Sequence, residues 1–113
     1  MHELAITQSL FDVVLQQAEK ANAKKVEEIT LVIGELTGVV IDSVQFYIDL
    51  MSKNTIAEGA KVIFKSIPAT VKCRTCGKTS ALTPFDYVCP HCGSTSLEVI
   101  SGKELIVESI EVT

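Results

Sequence analysis

The sequence has no tryptophan, and aromatic residues make up only 5% of its 113 positions. A face of stacked aromatic side chains that would hold nucleic-acid bases is therefore not expected. The formal net charge of −4 also argues against broad electrostatic attachment to nucleic acid or to anionic lipid. Because 47% of the chain is nevertheless hydrophobic, aliphatic side chains must form the core.

Long apolar runs are also missing, and none approaches the roughly 20 residues that cross a bilayer. The start of the chain, from Met1 to Leu4, lacks the basic residues and the apolar stretch of a signal peptide. We therefore expect a cytoplasmic protein. The sequence shows no Ser/His/Asp arrangement and no glycine loop with a lysine for binding phosphate, so we do not expect an enzyme.

Hydrophobic periodicity predicts the main secondary structure. Apolar residues three and four positions apart predict an amphipathic helix over residues 3–21, and alternation predicts a strand over 26–33. Residues 60–67 and 105–112 show the same strand pattern. We therefore expect an α+β fold in which two helices pack on a small mixed three-stranded sheet, with the last strand returning to that sheet.

The second helix is predicted to begin at Asp42, whose side chain would cap it, with Gln45 completing a capping box. It should end near Asn54. The preceding Gly-Glu-Leu-Thr-Gly segment is predicted to form a turn, in which Gly34 and Gly38 adopt backbone angles that are closed to other residues.

The cysteine segment interrupts this pattern and has little apolar content. We expect it to be an inserted, zinc-ribbon-like module that spans residues 68–102. The surrounding domain would then be discontinuous, consisting of residues 1–67 and 103–113.

The chain has four cysteines in two Cys-x-x-Cys pairs, each followed by a glycine: Cys73, Cys76, Cys89 and Cys92. In a reducing cytosol such pairs are metal ligands more often than disulfides. Four thiolates fill a tetrahedron and leave no open position, which predicts a structural metal, and zinc is the expected one. Iron is the rival, because the Cys-Pro-x-Cys-Gly pair also resembles those of rubredoxins.

Several neighbours of the cysteines have expected roles. Gly77 and Gly93 should relieve the tight turns after each pair. The cations Lys72, Arg74 and Lys78 should favour thiolate forms. His91, inside the second pair, is expected to be an exposed spacer because a fifth ligand is unnecessary.

The only other histidine is His2. At position 2, the terminal amine, the following amide nitrogens and the imidazole can close fused chelate rings on one ion. Such planar nitrogen coordination selects nickel(II) or copper(II) over zinc. The alternative interpretation, a solvated residue at a frayed helix start, remains open from the chemistry alone.

Together these motifs resemble the HypA family of hydrogenase-maturation nickel metallochaperones. The resemblance rests on the Met-His-Glu-Leu start, the turn of residues 34–39, the Ala-Glu-Gly-Ala segment of residues 57–60, and the paired cysteines. It spans nearly the whole chain in order and spacing.

The resemblance implies that His2 is the primary nickel ligand, with main-chain nitrogens from Met1 and Glu3, and that the cysteines hold zinc. It also implies two partners, a GTPase of the HypB family and the large subunit of nickel-iron hydrogenase. For Glu35, a solvated turn residue and a partner contact are equally expected. A monomer and a homodimer both remain open.

Two other classes of protein are alternatives. A zinc-ribbon module that binds nucleic acid or a transcription complex is weakened by the acidic balance, since only Phe85 and Tyr87 are aromatic between the two cysteine pairs. An iron-based electron carrier would be coloured.

Overall fold

The structure, a computed structural model, describes residues 3–82 and 87–113. Within these ranges the chain forms, in order, α1 (Glu3–Lys20), β1 (Val26–Gly34), a short 3-10 turn (Glu35–Thr37), α2 (Ile41–Met51), β2 (Lys61–Ile67), β3 (Thr70–Cys73), β4 (Thr79–Ala81), β5 (Leu97–Ser101) and β6 (Leu105–Val112). Neither described helix has the length and apolarity that crossing a bilayer requires.

The first sheet has the strand order β2-β1-β6, with β1 at its centre. β1 runs parallel to β2 and antiparallel to β6. The sheet is therefore mixed, and the last strand returns to it, as predicted. The bounds of β6 are also those expected from its alternating sequence.

The core lies between one face of this sheet and the two helices. Ile29 and Leu31 of β1 are fully buried, because the central strand has neighbours on both sides and helices above it. Full burial of a large aliphatic side chain stabilises the fold by about 1.5–3 kcal/mol. The helices contribute residues three and four positions apart to this core: Leu10, Phe11, Val14, Ala18, Val44 and Ile48.

The predicted cap of α2 is wrong. The helix begins one residue earlier, its N-cap is Val40, and no side chain caps it. Gln45 instead donates a hydrogen bond to Asp49, at 2.9 Å. Asp42 lies in the first turn, where its charge is favourable to the helix dipole. The helix ends at Met51, three residues before Asn54, which adopts a positive φ of 65° in the turns that follow.

The second sheet holds Cys73 at the end of its central strand, and Cys76 lies in the turn between β3 and β4. Its order is β4-β3-β5, and both pairings are antiparallel. Sequence periodicity did not resolve these strands, which are three to five residues long. Strands this short hold too few residues for an alternating pattern to be recognised.

The two sheets meet where the chain returns from β5 to β6. The N–H group of Gly34 donates to the carbonyl of Glu104, and that of Leu36 donates to the carbonyl of Gly102, both at 2.7 Å. The Glu104 carboxylate accepts a hydrogen bond from the N–H group of Gly102, at 2.8 Å. These contacts hold the end of β1 against the connection to β6.

Gly34 has a different role from the one predicted. Its φ is −78°, which any residue can adopt, whereas Gly38 has the expected positive φ of 70°. A Cβ atom on Gly34 would lie 2.2 Å from the backbone of Gly102, closer than real contacts allow. Glycine is therefore required at this position for the close approach of two backbones.

We predict that Gly34→Ala lowers the free energy of unfolding of the metal-loaded protein by about 2–3 kcal/mol, because the backbone of Gly102 cannot yield as a side chain would. Gly59→Ala is the matched control: it has a positive φ of 77° with open space around it, so only backbone strain of about 1 kcal/mol is expected. Urea unfolding measures both. Equal losses in the free energy of unfolding of the two variants would show that the close approach of Gly34 to Gly102 does not require glycine.

Candidate metal centre

The structure brings the four cysteine sulfurs together. All four Sγ atoms lie within 4.8 Å of one another. The distances across the two pairs are 3.5 Å between Cys73 and Cys92 and 3.6 Å between Cys76 and Cys89. A tetrahedral ion with metal–sulfur bonds of about 2.3 Å requires sulfurs separated by roughly 3.8 Å. The cluster therefore has the dimensions of a tetrathiolate metal site.

Each pair is folded by the same backbone turn. The N–H group of Gly77 donates to the carbonyl of Cys73, and the N–H group of Gly93 donates to that of Cys89, both at 2.8 Å. The two glycines have φ values of 76° and 74°, so the prediction that they relieve tight turns is confirmed. Cys73 is the last residue of β3, which anchors the first turn to the second sheet.

The two turns are also joined to each other. The N–H group of Arg74 donates to the carbonyl of Ser96 at 2.9 Å, and the hydroxyl groups of Thr75 and Ser94 are 2.9 Å apart. Cys73 and Cys89 are buried, whereas Cys76 and Cys92 are exposed. The centre therefore lies at the surface, with one sulfur of each pair turned inward.

Backbone N–H groups determine the acidity of the two buried thiols. The N–H group of Cys76, 3.4 Å from the sulfur, is the main cause that lowers the pKa of Cys73 to about 6. Burial raises the pKa of Cys89, but the N–H groups of His91 and Cys92 outweigh it, so that this pKa is lowered too. Hydrogen bonds to a thiolate stabilise its charged form.

The fourth sulfur behaves in the opposite way. The N–H group of Ser94 lowers the pKa of Cys92, but the nearby sulfur of Cys73 and burial outweigh it and raise the pKa to about 12. Negative charges this close oppose one another, and a divalent cation among them removes the conflict. The donor set therefore fits a thiophilic metal ion with all four positions filled, which leaves none for a substrate or a water molecule.

Two expectations about neighbouring residues have different outcomes. His91 is exposed and lies outside the four-sulfur cluster, as expected of a spacer, although its backbone N–H group contacts Cys89 Sγ at 3.4 Å. The cations Lys72, Arg74 and Lys78 are exposed, and the pKa of Cys73 is lowered by N–H groups rather than by these side chains. The spacing of the cysteines alone could have indicated this, because it creates the turns that direct N–H groups at sulfur.

At the predicted nickel site, Met1 and His2 lie outside the described residues. Phe85, between the two cysteine pairs, also lies outside them. Glu3 is the first residue of α1. Its Oε2 atom is buried and has no hydrogen-bond partner among residues 3–82 and 87–113. An unpaired buried carboxylate oxygen is costly, and it requires an explanation at this position. Glu35 is exposed in the 3-10 turn.

Sequence comparison places this chain, with its fold and cysteine site, in a class of metallochaperones. The family model that matches residues 1–112 is described as hydrogenase/urease nickel incorporation, metallochaperone. A hydrogenase maturation factor HypA of Caldanaerobacter subterraneus subsp. tengcongensis is 47% identical over 113 residues, which are 99% of each chain. One of Dehalococcoides mccartyi is 48% identical over 112 residues, covering 99% of this chain and 94% of the relative. The chain belongs to the HypA family.

Solved structures agree with this fold. The solution structure of the nickel metallochaperone HypA from Helicobacter pylori aligns with a TM-score of 0.69 at 23% identity, covering 99% of this chain and 97% of that one. A second HypA solution structure has a TM-score of 0.74, also at 23% identity. The family assignment disfavours the alternative of a nucleic-acid-binding zinc ribbon.

We predict that chelating the bound metal unfolds the second sheet and leaves the first intact. The core cluster includes none of the described residues of 68–82 and 87–102, and a segment this small cannot bury enough apolar surface to fold alone. Amide signals of β3, β4 and β5 should collapse in NMR spectra, while those of β1, β2 and β6 persist. One equivalent of zinc should restore them. Persistent signals from β3 to β5 without metal would contradict a structural role.

Proposed function

We propose that this chain is a cytoplasmic nickel metallochaperone, without catalytic activity, that binds Ni(II) at its N-terminus and delivers it for the maturation of nickel-iron hydrogenase. The observation that carries the proposal is the family match, which covers residues 1–112 and so includes the Met-His-Glu start. The matched curated relatives are hydrogenase maturation factors, which favours hydrogenase as the client over urease.

The proposed nickel ligands are the imidazole of His2 and main-chain nitrogens of Met1 and Glu3. Because α1 begins at Glu3, the first N–H groups of the helix donate no intrahelical hydrogen bond and can take other partners. A deprotonated amide nitrogen at Glu3 can therefore ligate a metal without breaking a helical hydrogen bond. Planar nitrogen donors suit nickel(II).

The Glu3 carboxylate supports the same position. A cation at a helix N-terminus is opposed by the helix dipole, and a carboxylate in the first turn offsets that effect. The Oε2 atom of Glu3, which has no hydrogen-bond partner among the described residues, adjoins this position in the chain. Meanwhile the hydroxyl group of Thr7 donates to the Glu3 carbonyl at 2.6 Å, which holds the first turn of α1 in place.

We further propose that Cys73, Cys76, Cys89 and Cys92 hold zinc in a structural site within a zinc domain of residues 68–102. Residues 1–67 and 103–113 would form the nickel-binding domain. Four thiolates leave no open coordination position, so this site would stabilise the fold of the zinc domain rather than transfer metal. The expected partners are a GTPase of the HypB family, which would assist delivery, and the hydrogenase large subunit, which would receive the nickel.

We predict that His2→Ala abolishes stoichiometric nickel binding in untagged protein, because it removes the one side-chain nitrogen of the site. Zinc content and the fold should be unchanged. Titration with Ni(II), elemental analysis and absorption spectra of planar nitrogen coordination provide the measurements. His91→Ala, which changes the only other histidine, should leave nickel binding at its original level.

The two variants separate the possibilities. Full nickel affinity in His2→Ala would refute the N-terminal site. Loss of nickel in His91→Ala would instead assign binding to the cysteine segment. An added N-terminal tag should reproduce the effect of His2→Ala, since it removes the free amine from the site.

A further inference from the structure

The outer edge of β6 is unprotected. β6 is the last strand in the order β2-β1-β6, and no strand in the described part of the chain pairs with its other side. Proteins commonly protect such edges with lysine or proline. β2, at the opposite edge, carries Lys61 and Lys65, but the sequence of β6, Leu-Ile-Val-Glu-Ser-Ile-Glu-Val, contains no lysine, proline or glycine. Its pairing with β1 shifts register twice, between Val26 and Glu28 of β1 and near Glu108 of β6.

A trough runs along this edge beneath α1. Two adjoining cavities of about 340 and 280 Å³ share Val13, whose side chain is 40% exposed. We define the α1–β6 trough by the residues that line it: Ile6, Ser9, Leu10, Val13 and Gln17 of α1, and Leu105, Val107, Glu108, Ser109 and Ile110 of β6. The core-facing side chains of β6 are therefore only half-buried. An added strand could cover them.

The solvent-facing side of the same edge carries a negative charge, that of Glu111, with no salt-bridge partner among the described residues. Glu111 lies directly opposite Glu28 of β1, and Glu28 lies opposite Lys61 of β2. Like charges directly opposite each other are destabilising. Glu108 forms a salt bridge with Lys65 at 2.7 Å, whereas Glu111 forms none within the described ranges. A cation on a fourth strand would lie next to Glu111.

These charges also distinguish between occupants. If two copies of this chain paired through β6, each strand would bring Glu108 and Glu111 to the other, and neither strand would supply a cation. Self-pairing is therefore disfavoured. A strand with apolar residues on one face and lysine or arginine on the other satisfies both sides of the edge.

We infer that β6 and the α1–β6 trough bind an extended segment of a partner protein by strand addition. Apolar side chains of that segment enter the trough, a basic side chain lies beside Glu111, and its backbone pairs with the free edge. This inference does not depend on nickel binding.

The test uses the full, metal-loaded chain labelled with ¹⁵N and the peptide acetyl-Lys-Val-Lys-Ile-Lys-Val-Lys-amide as the probe. Saturable shifts in the amide signals of β6 and of the trough residues of α1 are expected. A peptide with glutamate in place of lysine, and one with proline in place of the central isoleucine, should bind at least about fivefold more weakly. Equal binding of either control, or shifts confined to other surfaces, would overturn the inference.

Two variants sharpen the test. Val13→Lys places a cation in the trough and should weaken binding of the probe peptide at least about fivefold. The chain should remain folded, because the Val13 side chain is already partly exposed. Glu111→Gln should weaken binding of the probe peptide by about two- to fivefold, the effect of one cross-strand charge pair. Glu98→Gln removes the same charge from the second sheet and should have no effect.

The oligomeric state provides a further check. Sedimentation should show no association through β6 at the concentrations used for NMR. Self-association that Val13→Lys abolishes would assign the edge to a second copy of this chain instead.

Discussion

The close approach of Gly34 and Gly102 is the constraint on which the arrangement of the two sheets depends. The central strand ends at Gly34, and the connection from the second sheet crosses it with no room for a side chain. Paired N–H···O bonds and the carboxylate of Glu104 then hold this crossing. Because Leu36 is part of the same network, the turn that leads to α2 is held by it too.

The cysteine centre depends on backbone geometry rather than on neighbouring charge. The two-residue spacing forms a turn whose N–H groups approach sulfur, and these groups, not the exposed lysines, make the first thiol acidic. The nearby sulfur of Cys73 and burial then raise the pKa of Cys92. A bound cation would resolve this opposition, so the metal and the fold of the second sheet stabilise each other.

The proposed nickel site and the cysteine centre differ in a way that suits their separate tasks. The cysteine turns are cross-linked by hydrogen bonds and offer a closed set of ligands. The start of α1 instead offers unpaired amide groups and one buried, unpaired carboxylate oxygen among the described residues. A carrier must release its metal, and a site with few ligands at a chain terminus favours release.

The sequence by itself determined the elements of the first sheet, the two helices and the metal-binding nature of the cysteines. Each of these depends on local periodicity or on ligand spacing, which are properties of neighbouring residues. Only the tertiary structure decided the role of Gly34, the uncapped start of α2 at Val40, the short strands β3 to β5 and the free edge of β6. Apart from the start of α2, these features arise from contacts between residues well separated in the chain, such as Gly34 and Gly102, and local patterns carry no record of such contacts.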